Sequence, residues 1–124
     1  MTVDADGVVA SALEVLEVAE VAPLLAGGAH PFSAEELAFA RSRSDPERRL
    51  AARLAAKRAA ARLLGGGVSP SDVEVTRQAG RPPRLRLSAR AEARLREHGA
   101  DQILVSLTHE RRHAAAAVIL LRSR

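Results

Sequence analysis

The sequence has no cysteine and almost no aromatic residues, because Phe32 and Phe39 are the only ones. Without cysteine the chain can form no disulfide, no thiolate zinc site and no cysteine nucleophile. So few aromatic side chains provide no stacking platform for single-stranded nucleic acid. No helix carries a cluster of basic residues arranged to bind in a groove of double-stranded nucleic acid. We therefore expect no nucleic-acid partner and a core built from alanine, leucine and valine.

Long apolar runs are also missing. The longest, Ala114 to Leu121, is too short to span a bilayer, and the N-terminus carries Asp4 and Asp6 where a leader would be basic. The absence of cysteine fits a reducing compartment. We therefore predict a cytoplasmic protein with no membrane partner.

The length and charge of the chain are its next informative features. A chain of 124 residues that is 47% hydrophobic predicts one domain, residues 1–124. Its formal charge is +4, and Lys57 is the only lysine among 19 basic residues. This excess indicates either affinity for phosphates or an acidic partner, or a solvated face rich in arginine.

Three helices are predicted from their end signals. Ser33, followed three residues later by a glutamate, predicts a helix over 34–41. Asp45 and Pro46 predict the N-cap and first residue of a long helix that the glycines at 65–67 end. Ser88 predicts the cap of a third helix, to about His98, and residues 10–26 are predicted to be partly helical from their leucine spacing.

Alternating segments predict the strands. Asp4 and Asp6 would lie on one face if residues 1–9 form a strand. Residues 72–77 and 84–87 predict two strands around the turn 78–83, and residues 103–107 and 114–121 predict an antiparallel pair. The predicted fold class is α+β, with a small antiparallel sheet packed on one long helix.

Several motifs follow one another along nearly the whole chain, and in this order they resemble the holo-acyl-carrier-protein synthase family, the small 4′-phosphopantetheinyl transferases. The helix sequence ERRLAARLAAKRAAARLLG is similar to that family's signature helix, usually ERLAxRFAAKEAxxKALG. The matching segments are Val3-Asp4, Phe32 to Leu37, Glu47 to Gly65, Asp72 to Val75, Gly80-Arg81-Pro82 and Val105 to His109.

The resemblance implies a fold, a reaction and partners. It implies the 4′-phosphopantetheinyl transferase fold and transfer of 4′-phosphopantetheine from coenzyme A to a serine of an acidic acyl carrier protein, in fatty-acid or polyketide biosynthesis. It also implies a homotrimer with active sites between subunits. In the family, a magnesium ion bridges the diphosphate of coenzyme A to an aspartate and to the glutamate of Ala-Ala-Lys-Glu.

The resemblance also implies roles for individual residues. Asp4 would hold the metal, with Asp6 as a second carboxylate, while Arg53 and Lys57, four residues apart, would share one helix face and meet phosphates. Arg62 stands where a second helix lysine is usual. The binding site for the nucleotide of coenzyme A would include Gly80, Arg81, Pro82, Ser106 and His109.

Arg58 departs from the family pattern, because it stands where the family has its metal-binding glutamate. A guanidinium has no acceptor atom and cannot ligate magnesium. Either Arg58 supplies the metal's charge to the diphosphate directly, as a catalytic group beside Lys57 and Arg62, or the transferase chemistry is lost. In the second case the protein is a repurposed or inactive relative that binds a carrier protein or acts on a carrier-bound substrate. A third interpretation is that the basic side chains of this helix form a solvated face paired with Glu47 and other acids.

Overall fold

The structure, a computed structural model, describes residues 7–123. Its strands and helices alternate in a mixed order, with two 3₁₀ turns at Val18–Glu20 and Pro70–Asp72. The strands are β1 (Val8–Glu17), β2 (Val73–Thr76), β3 (Arg84–Leu87), β4 (Gln102–His109) and β5 (His113–Leu121). The helices are α1 (Val21–Gly27), α2 (Ala34–Arg41), α3 (Pro46–Leu64) and α4 (Ala89–Glu97).

The strands form two separate antiparallel sheets where the sequence predicted one. The larger sheet has the order β1-β5-β4, and β2 pairs only with β3 in a hairpin. The predicted pairing of the last two strands is confirmed, with Val105 opposite Val118. Leu85 and Leu87 share one face of β3, as predicted, and oppose Val75 and Val73.

All three predicted helices begin at the expected residues, and at two of them the capping side chain forms its hydrogen bond. Ser33 and Glu36 form a reciprocal capping box, in which the Ser33 N–H donates to Glu36 Oε1 over 2.8 Å. Ser88 Oγ accepts a hydrogen bond from the N–H of Ala91. Asp45 precedes α3 as predicted, but its side chain caps no backbone N–H and instead accepts from Arg49 Nε at 3.1 Å.

Helix α3 is the centre of the core, and alanine occupies seven of its 19 positions, all of them buried. Its alanines from 51 to 60 are almost fully buried, and their small side chains let neighbouring elements approach closely. The larger sheet, α2 and β2 all pack against this helix. Leu50, Leu54 and Leu64 fill the space between the elements, each at most 3% exposed. The prediction of a sheet packed on one long helix is confirmed.

The prediction that residues 10–26 are partly helical is correct only for the second half of this range. Residues 10–17 belong to β1 and are not helical, and the helix that follows starts only at Val21. Strand β1 pairs along its whole length with β5, which lies near the other end of the sequence. This long-range pairing overrides the local helical preference that the leucine spacing indicated. Strand β1 begins at Val8, and Asp4 and Asp6, whose shared face depended on a strand over residues 1–9, lie outside the described residues. No helix in the described part is long and apolar enough to cross a membrane.

Candidate functional site

A cleft of about 360 Å³ lies between α2, α3 and the β2–β3 hairpin. Five of its lining residues are arginines, and Glu35 is the only acidic one. So many guanidinium groups around one depression favour an anionic ligand. We call this depression the arginine cleft; its arginines are Arg53, Arg77, Arg81, Arg84 and Arg86.

Arg53 forms the inner wall of the arginine cleft. It is only 3% exposed, and its guanidinium carbon lies 4.2 Å from the centroid of the Phe39 ring. Burial lowers the pKa of Arg53 to about 10, with Arg77 and two further arginines adding to the effect and Glu36 opposing it. Its Nε is buried without a hydrogen-bond partner, so an oxygen of a bound anion would satisfy a donor that the fold leaves open.

The β2–β3 hairpin supplies the outer wall. Alternation along β3 directs Arg84 and Arg86 to the face opposite its leucines. Gly80 adopts φ +75° in the turn, a conformation that suits glycine, and the Arg81 N–H donates to the Gln78 carbonyl at 3.0 Å. Arg81 and Pro82 line the cleft, whereas Gly80 does not.

Lys57 lies beside this cleft and not in it. Its ammonium donates to Glu36 Oε1 at 2.7 Å and to the Val73 carbonyl at 2.5 Å, and its side chain is 1% exposed. The sequence predicted that Lys57 shares a phosphate-facing surface with Arg53. A direct contact with phosphate would require the buried ion pair to open, and the catalytic role of Lys57 stays a prediction.

Arg58 and Arg62 lie away from the arginine cleft and face the N-terminal part of the chain. Arg58 Nη1 is 3.4 Å from Glu20 Oε1, and Arg62 Nη1 is 2.8 Å from Glu14 Oε2. Both pairs are partly exposed. Arg58 and Arg62 have the exposure and the acidic partners that the solvated-face interpretation expects, although not Glu47, whereas Arg53 and Lys57 are buried and contradict it.

The described residues do not fit a magnesium site. Magnesium needs oxygen ligands such as carboxylates, and the position expected for one of them holds the guanidinium of Arg58. The nearest acids, Glu14 and Glu20, are each paired with an arginine. Within residues 7–123 no three His, Cys, Asp or Glu side chains are grouped so that they could hold a metal ion. The predicted ligands Asp4 and Asp6 lie outside this range.

Ser106 and His109 lie on opposite faces of β4. Ser106 is exposed on the outer face, while His109 is half-buried on the inner face and its Nδ1 has no partner. The pKa of the Asp45 carboxyl lies below its usual value, mainly because Arg49 donates a hydrogen bond to it, and the charge of nearby His109 contributes less. His109 is therefore near Asp45 at the start of α3. Ser106, on the opposite face of β4, is not near these residues.

The sequence alone does not reveal the acidic partners of the helix arginines or most of the arginine cleft. Glu14 lies in a segment predicted to be partly helical, and residues 12–17 (Ala-Leu-Glu-Val-Leu-Glu) show no strict alternation of apolar and polar residues that would have indicated a strand. Arg77, Arg84 and Arg86 belong to strands or strand ends whose pairing brings them together.

Comparison with known proteins places this arrangement in a family. The chain is 40% identical over 118 residues to the holo-[acyl-carrier-protein] synthase of Thermus thermophilus, covering 91% of this chain and 93% of the relative. The protein belongs to the holo-[acyl-carrier-protein] synthase family. No family profile matches the chain.

Structures of holo-[acyl-carrier-protein] synthases have the same fold. The acyl carrier protein synthase of Mycobacterium tuberculosis superposes with a TM-score of 0.72 at 30% identity, covering 92% of this chain and 97% of that one. The Helicobacter pylori synthase in complex with coenzyme A gives a TM-score of 0.73 at 16% identity, covering 90% and 99%. The fold predicted from the motif order is thereby confirmed.

Proposed function

We propose that the protein transfers 4′-phosphopantetheine from coenzyme A to a serine hydroxyl of an acyl carrier protein. In this reaction the serine oxygen forms a bond to the phosphorus that carries the pantetheine. The bond from that phosphorus to the bridging oxygen breaks, 3′,5′-ADP leaves with the electron pair, and the serine proton is released. Family membership supports this reaction, because the relatives are named for it.

The arginine cleft is the observation that carries the proposal. Its volume of about 360 Å³ is that of a small-molecule site, and its arginines suit a ligand with concentrated phosphate charge. Arg81 and Pro82 stand where the resemblance places the adenine end of coenzyme A. We therefore propose that the cleft binds the nucleotide end, with the unpartnered Nε of Arg53 available to a phosphate oxygen.

Incubation of an apo carrier protein with this protein and coenzyme A tests the activity. The carrier mass, measured by mass spectrometry, should increase by one phosphopantetheine group. The assay is run in excess magnesium and in EDTA, so that it does not depend on how the diphosphate is bound. No mass increase with any of a panel of fatty-acid and polyketide carriers, under either condition, would contradict the transferase.

The cleft is tested separately by replacing Arg81 with glutamine. Loss of one charge-assisted contact should weaken coenzyme A binding about tenfold in calorimetry. Binding of 4′-phosphopantetheine, which lacks the nucleotide, should change little, because Arg81 is assigned to the nucleotide end. Ala93→Gln, on the exposed side of α4, is the control and should bind both ligands like the wild type. An equal loss for the two ligands would contradict this assignment.

We also propose a homotrimer with active sites shared between subunits. The outer face of the larger sheet leaves Leu13, Val15 and Leu104 at least half exposed, so it is an apolar surface that a second copy could cover. Within one chain, the arginine cleft lies on one side of α3, and Arg58 and Arg62 lie on another. A site formed between copies would let the arginine cleft of one subunit and the Arg58 side of its neighbour bind one coenzyme A.

A repurposed or inactive relative is the second candidate. The charge reversal at Arg58, already paired with Glu20, favours it. Such a protein would bind a carrier protein without modifying it, or act on a carrier-bound substrate. This candidate predicts that the protein binds a carrier protein without increasing the carrier's mass. It also predicts that the Arg58→Glu variant recovers the transfer when magnesium is present.

A further inference from the structure

Arg58 and Arg62 form a pair of guanidinium groups on one face of α3. Four residues separate them, which places them one turn apart. Their side chains are 34% and 54% exposed, in contrast to the buried Arg53 and Lys57 on the other side of the helix. The pair is therefore accessible to a ligand without any change in the core.

The acidic residues that pair with Arg58 and Arg62 belong to an N-terminal segment that contains no lysine or arginine. The first forty residues contain seven acidic residues of the chain's fifteen and no lysine or arginine. Two of these acids, Glu14 on β1 and Glu20 at the end of the 3₁₀ turn, contact Arg62 and Arg58 respectively. Partly exposed ion pairs of this kind are worth about 1 kcal/mol or less, so a more highly charged anion can replace the carboxylates.

The space beside Arg58 suits a ligand with an apolar arm. Arg58 borders a shallow hollow of about 460 Å³ whose wall includes Leu24, Pro31 and Leu54. A second hollow, lined by Glu20, Pro23 and Leu24, also borders Arg58. The guanidinium thus stands between an apolar surface and a carboxylate that a phosphate could displace.

We propose that Arg58 and Arg62 bind the diphosphate of coenzyme A directly and without magnesium, displacing Glu20 and Glu14. This inference depends on the proposed function for the identity of its ligand. Guanidinium groups bind phosphate through paired hydrogen bonds and keep their charge at all working pH values. The same charge repels a divalent cation, so the site binds the diphosphate as the free anion.

Calorimetry with coenzyme A tests the inference without using catalysis. Wild-type protein should bind with the same affinity in excess magnesium and in EDTA. Arg58→Gln should bind about tenfold more weakly in both. Glu20→Gln should bind more tightly than the wild type, because it removes the competing carboxylate; a purely structural ion pair would give no such gain. Arg96→Gln removes a comparable exposed arginine, paired with Glu92 on α4, and should leave binding unchanged.

Each outcome decides between the two proposals. Binding that requires magnesium, or an Arg58→Gln variant that binds like the wild type, would overturn the direct contact while leaving the transferase reaction intact. Binding with the expected pattern but no mass increase on any carrier would overturn the reaction and keep the site. If Glu20→Gln weakens binding, the carboxylate does not compete with the ligand and the inference fails.

Discussion

Replacing Glu36 with alanine should destabilise the protein by about 3–5 kcal/mol, because the change leaves the Lys57 ammonium buried without its counter-charge. Glu36 Oε1 accepts from Lys57 Nζ at 2.7 Å, and both side chains are at most 1% exposed. The other oxygen accepts from the N–H of Val75 at 2.8 Å. One carboxylate thus connects α2 with α3 and β2, and its loss removes all of these contacts.

Urea denaturation followed by circular dichroism measures this effect. The protein concentration must be the same for all variants, because assembly adds to the apparent stability. The double variant Glu36→Leu/Lys57→Met should be much less destabilised than the sum of its single changes, since it removes both charges together. Glu92→Ala is the matched control, because its ion pair with Arg96 is exposed and should cost less than about 1 kcal/mol. Additive single effects would show that the buried pair does not act as a unit.

Leu13→Glu should convert the proposed trimer into single chains and reduce transfer to a small fraction of the wild-type rate. Leu13 is 65% exposed on the outer face of the larger sheet, where it lies opposite Ala117 on β5. A carboxylate there would be desolvated in any contact between copies, without a partner of opposite sign arranged to receive it. The fold of one chain should be retained, because the side chain does not contribute to the core.

Analytical ultracentrifugation gives the mass of the assembly, and circular dichroism verifies the fold of the variant. Ala93→Glu makes the same kind of change on the exposed side of α4 and should keep both assembly and activity. A wild-type protein that sediments as one chain would contradict the trimer. A Leu13→Glu variant that is monomeric yet fully active would contradict the sharing of active sites between subunits.

The helices could be predicted well because their signals are local. The capping box of Ser33 and Glu36, Pro46 at a first helical position and the glycines after Leu64 act within one or two turns. The same holds for the hairpin of β4 and β5, whose two apolar runs are adjacent in sequence. These elements appear where the sequence predicted them.

Strand β1 could not be predicted in the same way. Its partner β5 lies about a hundred residues further along the chain, and the pairing buries the side of β1 that faces α3. A local pattern of leucines fits a helix or a strand over so short a stretch. The error also hid Glu14, the acid that β1 directs toward Arg62.

The sequence by itself determined the type of fold, the family resemblance and the placement of Arg53, Lys57, Arg58 and Arg62 on one helix. Only the tertiary structure decided what surrounds each of those side chains. Arg53 lies against Phe39 in the arginine cleft, Lys57 is buried with Glu36, and the other two stay accessible. Helical periodicity gives the direction of a side chain, but the elements packed there, brought from distant parts of the chain, determine its burial and its partner.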